Sequence, residues 1–441
     1  MKGTRFFFWA MIFTLAWAGA NSASAQHWYK GALHSHTLWS DGNTLPEVAV
    51  ENHIKMGYQF YVISDHSELQ VNPDRWRELP ADSPQIATAE KYGPLDQRDD
   101  DEGKHFVRLK TIWELKKEFD RPGEFLLVPG MEQNAHLTRL GPDQFSLHAN
   151  AVNIAETIPW PSFDTQVECI RDWLKNTNES AEKHQLNSLW MVNHPFWVYY
   201  DVLPEYLIEV PEVQFFELNA DGLEVHAPHP KYCERDRFWD IICAFRITNG
   251  DQAIYMTGGD DAHNHLDFKD NASCAGIVWN QVRAPQLSAD ALVAAMKNGD
   301  FYVSTGVELD DVTYDCATKT LTVQVKPVEG VQYRIDFIGT KADFDQTTVE
   351  HEIEAQLPAG EFKSHVTTMP HRIFKEYSKT IGQVFQSVEG TQASYTLADD
   401  DLYVRALITS DKKPSYTGNH MPKTESAWTQ PVGWKERVKT P

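Results

Sequence analysis

Histidines and carboxylates recur at the ends of short apolar runs through the first 265 residues. His34 and His36 stand two apart in Leu33-His34-Ser35-His36. On an extended segment that spacing turns both imidazoles to one side, where they can grip one cation together. Asp41 follows in Ser40-Asp41-Gly42, and Asp65-His66 closes the run Tyr58–Ser64. Glu132 comes just after Phe125–Pro129, His148 lies inside Phe145–Ile154, and His194 follows Leu189–Asn193. Asp261 and His263 follow Ile254–Thr257. One histidine at the end of a strand is usually structural. Six of them, gathered with aspartates and a glutamate, would bury several uncompensated negative charges, which is costly unless metal ions sit among them. A thiolate zinc site is not expected, because no C-x-x-C spacing occurs. Nor is there a G-x-S-x-G elbow for a serine nucleophile.

The segments between these residues predict how they are held. Trp28–Leu33 reads as a strand, and Thr44-Leu45-Pro46-Glu47 has capping-box spacing with proline in the first turn. The helix that follows should stop near Gly57, before a buried strand at Tyr58–Ser64. Further helices are predicted in Thr165–Asn176, Arg235–Phe245 and Ala289–Met296, the last capped by Ser288. About seven strands alternating with helices predict a parallel sheet with right-handed crossovers, closed into an α/β barrel with its function on the C-terminal face. Residues 67–124, with Asn72-Pro73, Ser83-Pro84 and the acidic run Asp99–Glu102, interrupt the rhythm as an insertion. They could form a lid, a substrate wall or a solvated excursion. From Leu309 onward, strands such as Leu321–Val328, Val331–Ile338 and Tyr403–Thr409 follow without helices, predicting a β-sandwich module over 309–441.

Forty Lys+Arg against 63 Asp+Glu give the 441-residue chain a net charge of −23. An extended nucleic-acid or anionic-membrane surface is therefore not expected. A small anionic substrate remains compatible, because bound cations reverse the local field. Lys2 and Arg5, the uncharged stretch Phe6–Ala18 and Ala23-Ser24-Ala25 read as a signal peptide over residues 1–25, so the mature protein is expected to be periplasmic or secreted, without a stable membrane anchor. The barrel would then span residues 26–308. Five cysteines leave at least one free or paired between chains.

Taken in order, LHSHTLWSDG (33–42), ISDH (63–66), PGMEQ (129–133), LHANAVN (147–153), VNHP (192–195) and GGDDAH (258–263) resemble the PHP (polymerase and histidinol phosphatase) metallohydrolases. The likeness is to the exported branch that includes carbamate-pesticide hydrolases, and it covers residues 30–305. It implies a distorted (β/α)7 barrel that binds two to three divalent ions, Zn, Mn or Fe. His34, His36, Glu132 and Asp261 would hold one ion. Glu132 would bridge to a second on His148 and His194, and Asp41, His66 and His263 would hold a third. Asp41 stands where some members have histidine, which implies a weaker third position. The resemblance also implies a metal-bridging hydroxide that attacks a small organic phosphate mono- or diester, with Glu132, Asp65 and His263 in catalytic roles. Asp65 would orient a ligand imidazole, while Asp260 would be structural. His136 and Arg139 lie between Glu132 and His148 and are candidates for contacting a substrate anion, the alternative being a solvated loop. His226, His229 and His265 are expected at the surface. Two other functions fit the same residues: a carboxyl or carbamate ester hydrolase, and a non-catalytic binding protein that retains its metals. The partner expected is a small-molecule ester, and the sequence leaves the oligomeric state open.

Overall fold

The structure is a computed structural model that describes residues 26–136, 146–161, 163, 165–195, 202–219, 237–269, 273–354, 371–416 and 422–438. The chain opens with β1 (His27–Ala32), α1 (Pro46–Lys55) and β2 (Phe60–Ile63). β2 is buried along its whole length and pairs parallel to β1. Pro46 does occupy the first turn of α1, but Thr44 is not its cap. Leu45 holds that position with no side-chain cap, and the buried Glu47 lies 3.5 Å from Lys110 Nζ. Past the end of the helix, Gly57 takes a φ of +78° that L-residues avoid.

The insertion is a packed unit. It comprises β3 (Trp76–Glu78), α2 (Pro84–Ala89), β4 (Gln97–Asp99), β5 (His105–Arg108) and α3 (Ile112–Phe119), with β5 central in a three-stranded antiparallel sheet. Leu79, Ile86, Val107 and Leu109 share a core with Trp39, Leu45 and Val48, so the insertion is seated on the segment that carries Ser40 and Asp41.

Then come β6 (Leu126–His136), β7 (Ser146–Val152), α4 (Gln166–His184), β8 (Leu189–Val192), α5 (Pro204–Glu209), β9 (Phe215–Asn219), α6 (Phe238–Asn249), β10 (Tyr255–Gly259), β11 (Trp279–Ala284), α7 (Ala289–Asn298) and β12 (Phe301–Ser304). Ser288 caps α7, as expected from the sequence. The seven anticipated strands stand side by side in the order β1-β2-β6-β7-β8-β9-β10. They are not all parallel, because β7 runs antiparallel to both β6 and β8. Residues 137–145 are too few for the crossover that a parallel pair requires, so β6 and β7 meet as a hairpin.

The closed (β/α)7 barrel is also corrected: among the described residues no strand ladder joins β10 to β11. Side-chain amides meet the β10 edge instead. Asn280 accepts from Gly258 N at 3.0 Å and donates to Gly258 O at 2.7 Å, and Gln430 does the same for Met256 at 3.0 and 2.9 Å. These two amides act like short pieces of strand and satisfy backbone groups that burial would otherwise leave unpaired.

The C-terminal part supplies β13 (Leu309–Asp315), β14 (Thr320–Val325), β15 (Tyr333–Lys341), β16 (Thr348–Glu354), β17 (His371–Tyr377), β18 (Gln383–Glu389), β19 (Gln392–Thr396), β20 (Asp401–Ser410) and β21 (Ser426–Thr429). β21 pairs with both β12 and β20, so one mixed sheet of thirteen strands runs from β10 to β18. The β13-β14-β19 sheet shares with it a core that includes Leu321, Val323, Ile335, Phe337 and Val404. Asp240 of α6 fixes this part to the rest, accepting from Arg405 Nε and Nη2 at 2.9 and 2.6 Å and from Tyr403 OH at 2.7 Å. Cys169, Cys243 and Cys274 are buried and Cys316 is exposed, whereas Cys233 lies outside the described residues. No helix among the described residues is long and apolar enough to cross a membrane. The proposed signal segment also lies outside them.

Candidate metal centre

The candidate ligands come from neighbouring strands of the large sheet. His34 and His36 follow β1, where His36 N donates to Ala262 O at 2.9 Å and so ties this segment to the one after β10. His66 follows β2 and bridges to Glu132, which lies within β6 rather than beyond it. Gly130 lets β6 approach closely, since a Cβ there would lie 2.5 Å from Val62 Cγ1. His148 sits in β7, and His194 and Asp261 follow β8 and β10 with φ of +24° and +48°. Strained backbone of this kind persists only where the surroundings impose it.

All nine predicted ligands fall into four overlapping groups, each compact enough to hold one ion. The groups are His34–His36–Glu132, His34–His194–Asp261, His66–Glu132–His148 and His36–Asp41–His66–His263. With bonds near 2.0–2.2 Å, donors on one ion lie roughly 3.0–3.5 Å apart. His34 Nε2 is 3.2 Å from Glu132 Oε1 and 3.1 Å from Asp261 Oδ1. It is also 3.2 Å from His36 Nε2. His194 Nε2 and His148 Nδ1 approach Glu132 Oε1 to 3.2 and 3.1 Å. Around Asp41, His263 Nε2 lies at 3.3 Å, His66 Nε2 at 3.5 Å and His36 Nδ1 at 3.7 Å.

The chemistry of these donors suits a cation. Glu217 Oε1 lies 2.8 Å from His34 Nδ1, and a carboxylate can only accept, so Nδ1 carries a proton. In the neutral ring Nε2 is then a lone pair that faces two carboxylate oxygens and another imidazole. Glu132 Oε2 is buried and accepts no well-aligned hydrogen bond, although His66 Nδ1 is 2.6 Å away. Converging lone pairs repel unless a positive charge lies between them. Protons partly fill that role here. Burial works against the imidazolium forms, yet Glu132 and Asp41 push His66 up to about 11, and Asp261 and Asp41 push His263 up to about 9. Burial likewise opposes charge on His34, but Glu217, Asp261 and Glu132 hold it well above the usual imidazole range. Against their own burial, the surrounding histidines hold Glu132 and Asp261 well below the carboxylate range. Burial brings His36 down to about 3, helped by His263 and His66, and it leaves His148 near 4. A divalent cation would displace the bound protons.

Other predicted residues are placed differently. Asp65 lines no ligand group. Its oxygens accept from Thr37 N (2.7 Å), Thr37 Oγ1 (2.9 Å), Ser40 Oγ (2.7 Å) and Gln70 Nε2 (3.3 Å), so the expected contact to an imidazole is absent from its bonds. It reaches His36 only through Ser40 Oγ, 3.3 Å from His36 Nδ1. Asp260 is structural, as expected, accepting from the amides of Gly276, Ile277 and Val278. His265 is buried, not at the surface, and contacts His36 O at 3.0 Å and Ser35 Oγ at 3.3 Å. His136 ends β6 but its side chain lies outside the described residues, as do Arg139, His226 and His229 entirely.

Sequence reasoning missed Glu217, Asn193 and Asn134. Asn193 Nδ2 donates to Glu132 Oε1 at 2.8 Å, and Asn134 Nδ2 lies 2.8 Å from His66 Nδ1 and 2.9 Å from His148 Nε2. The signal for Glu217 was a charge inside the apolar run VQFFEL, which cannot be buried without a partner.

The centre is sealed on one side and open on the other. His34, His36 and Glu132 are inaccessible, whereas the side chains of Asp41, His66 and His263 are 56%, 24% and 27% exposed. A cavity of about 260 Å³ beside Trp28, Tyr255, Arg283, Tyr314 and Trp434 lies by the opposite ends of β1 and β10 and holds none of these ligands.

No family model and no curated protein matches the chain. Among solved structures it is similar to a two-domain protein containing a predicted PHP-like metal-dependent phosphoesterase from Bacteroides vulgatus. That pair is 14% identical over 84% of this chain and 96% of the other, with a TM-score of 0.38. It is also similar to a candidate metal-dependent phosphoesterase from Bifidobacterium adolescentis, 13% identical over 53% of this chain and 87% of the other, with a TM-score of 0.28.

Proposed function

We propose that the chain is an exported metal-dependent hydrolase of PHP type, acting on a small organic phosphate mono- or diester. The observation that carries this reading is the convergence of nine ligand-type side chains on four overlapping positions, with the His34 Nε2 lone pair turned inward by Glu217. Divalent ions bound there would supply a water of lowered pKa and positive charge for the substrate oxygens. Glu132 takes part in two of the groups, so its two oxygens suit a bridge between ions. Substrate would approach across Asp41, His66 and His263, the accessible face, while the buried His34, His36 and Glu132 keep bulk water from the other. Several cation positions side by side favour a phosphoryl group, whose non-bridging oxygens can be shared between ions. Export is supported by the composition of residues 1–25.

The test is elemental analysis of the mature protein, followed by assays against aryl phosphate mono- and diesters and against carboxyl and carbamate esters. Two to three transition ions per chain are expected, fewer in Glu132→Ala, with phosphoester turnover abolished by a chelator and restored by Zn, Mn or Fe. Ester turnover exceeding phosphoester turnover by orders of magnitude would reverse the substrate assignment. Absence of any hydrolysis by fully metallated protein would leave a binding protein.

A further inference from the structure

We infer that Glu217 is a positioning residue that presets two of the candidate ligands, His34 and His194, and that position 259 is glycine to make room for it. The inference rests on the metal reading of the cluster. Glu217 lies in β9, between β8 and β10, and is fully buried, where a carboxylate is costly unless its oxygens are satisfied. They are satisfied by the ligand residues themselves. Oε1 takes His34 Nδ1–H at 2.8 Å, and Oε2 accepts His194 N–H at 3.1 Å and Asn219 Nδ2 at 2.9 Å. The first bond selects the His34 tautomer whose Nε2 can ligate and raises its basicity. The second holds the amide of a residue whose φ of +24° would not persist unsupported.

Gly259 explains how the carboxylate fits. A Cβ there would fall 1.6 Å from Glu217 Oε1 and 2.6 Å from its Cδ. The φ of Gly259 is not in the left-handed region, so its backbone does not require glycine. Space does. Any side chain at 259 must displace the Glu217 carboxylate, and with it the His34 ring.

Glu217→Gln separates this role from bulk packing. Glutamine keeps the shape but offers one oxygen and one NH2 group. In either orientation an N–H meets His34 Nδ1–H or His194 N–H. Folding is checked by circular dichroism and thermal unfolding, and metal content is measured during competition with a chelator. Removing a group that orients a ligand typically weakens metal binding by about 10–100-fold. That loss is expected for the ion held by the His34 Nε2 lone pair, while the His36–Asp41–His66–His263 position keeps its ion. In metal-free protein, the NMR signals of the His34 Nδ1–H group, which is present whether or not Nε2 is protonated, are expected to report an altered hydrogen bond at Glu217. Gly259→Ala, with Glu217 intact, is expected to reproduce both effects, and it carries the test if the glutamine variant does not fold. Folded variants with wild-type metal affinity and an unchanged His34 Nδ1–H signal would overturn the inference. A wild-type protein that binds no ions would overturn the metal reading instead, and the Nδ1–H measurement would still decide the role of Glu217.

Discussion

Asp65 separates a scaffold role from a chemical one. Its Oδ1 accepts from Thr37 N, Ser40 N and Ser40 Oγ, and its Oδ2 from Thr37 Oγ1 and Gln70 Nε2, at 2.7–3.3 Å. Asp65→Ala removes every one of these acceptors. The buried Thr37 amide would be left unpaired at about 1–3 kcal/mol, and hydrogen bonds to a charged group contribute about 1.5–3 kcal/mol each. Because these bonds share one carboxylate they do not add fully, and a loss of about 3–5 kcal/mol is expected out of the 5–15 kcal/mol typical of a folded protein. The turn carrying Asp41 would loosen with it, so the outer ion should be lost. Asp65→Asn is different. Its oxygen can keep the Oδ1 bonds, and its new NH2 group can point at Thr37 Oγ1 and at Gln70 Oε1, a buried acceptor with no present partner once the Gln70 amide turns over. About 1–2 kcal/mol is expected for the lost charge assistance. Denaturant midpoints, metal content and phosphodiester turnover together decide the matter. A scaffold residue predicts that the asparagine variant keeps its ions and stays within about tenfold of wild-type kcat. If Asp65 moved a proton in the reaction, both variants would lose about 10²–10⁴ in rate. Such a loss in Asp65→Asn, with stability and metals intact, would refute the argument.

Three further outcomes follow from the same contacts. Arg77 donates through Nε to Leu38 O at 2.6 Å and through Nη2 to Ser40 O at 2.6 Å and Trp39 O at 3.2 Å, clamping the insertion onto the turn before Asp41. Arg77→Ala is expected to weaken the outer ion at least tenfold while the inner ions stay, as read by stoichiometry during chelator titration. Asp240→Ala leaves Arg405 buried and unpaired, so guanidinium titration should show a loss of about 3–5 kcal/mol. Burial works against the Glu114 charge, but Arg108 and the Thr111 cap hold its carboxyl down at about 2. A lowered pKa means this stabilisation is present above the unfolded value near 4.5 and fades as pH falls through about 2. Because the side chain is partly exposed, screening limits the effect of Glu114→Gln to about 1 kcal/mol at pH 7. The gap to wild type should close towards pH 2 in thermal unfolding.

Most of the candidate ligands were legible because strands stop where polar residues begin, and a sheet of neighbouring strands brings those stops together, with Glu132 and His148 inside the strands the exceptions. Their partners were not, for reasons specific to each. Glu217 reads as one polar residue in an aromatic strand until its His34 and His194 contacts are visible. His265 follows His263 at a spacing that suggests a solvated turn, yet a bridge from Asn264 to Cys274 folds the segment back and buries its ring. Thr44 and Glu47 have capping-box spacing, but the insertion brings Lys110 to Glu47, a contact no local pattern encodes. The open edge of β10 was equally hidden. Asn280 and Gln430 stand 22 and 174 residues from the backbone groups they satisfy, and a side-chain amide has no periodicity to betray it.

The β6–β7 hairpin is the departure from the expected barrel that matters most for the site. In a uniformly parallel barrel every ligand would hang from a loop beyond a strand end. Here Glu132 and His148 lie inside paired strands, with Glu132 opposite Asn150 and His148 opposite Asn134 in the β6–β7 register. Their backbones are held by the ladder itself, so the carboxylate that reaches two groups stands on a stiff support. Asp41 lies instead on a turn, and His263 between the bridged residues Ala262 and Asn264, both at the accessible side. A fixed backbone at the shared carboxylate and exposure at Asp41, His66 and His263 are what an entry face would need, because the outer residues would have to make room for an arriving substrate.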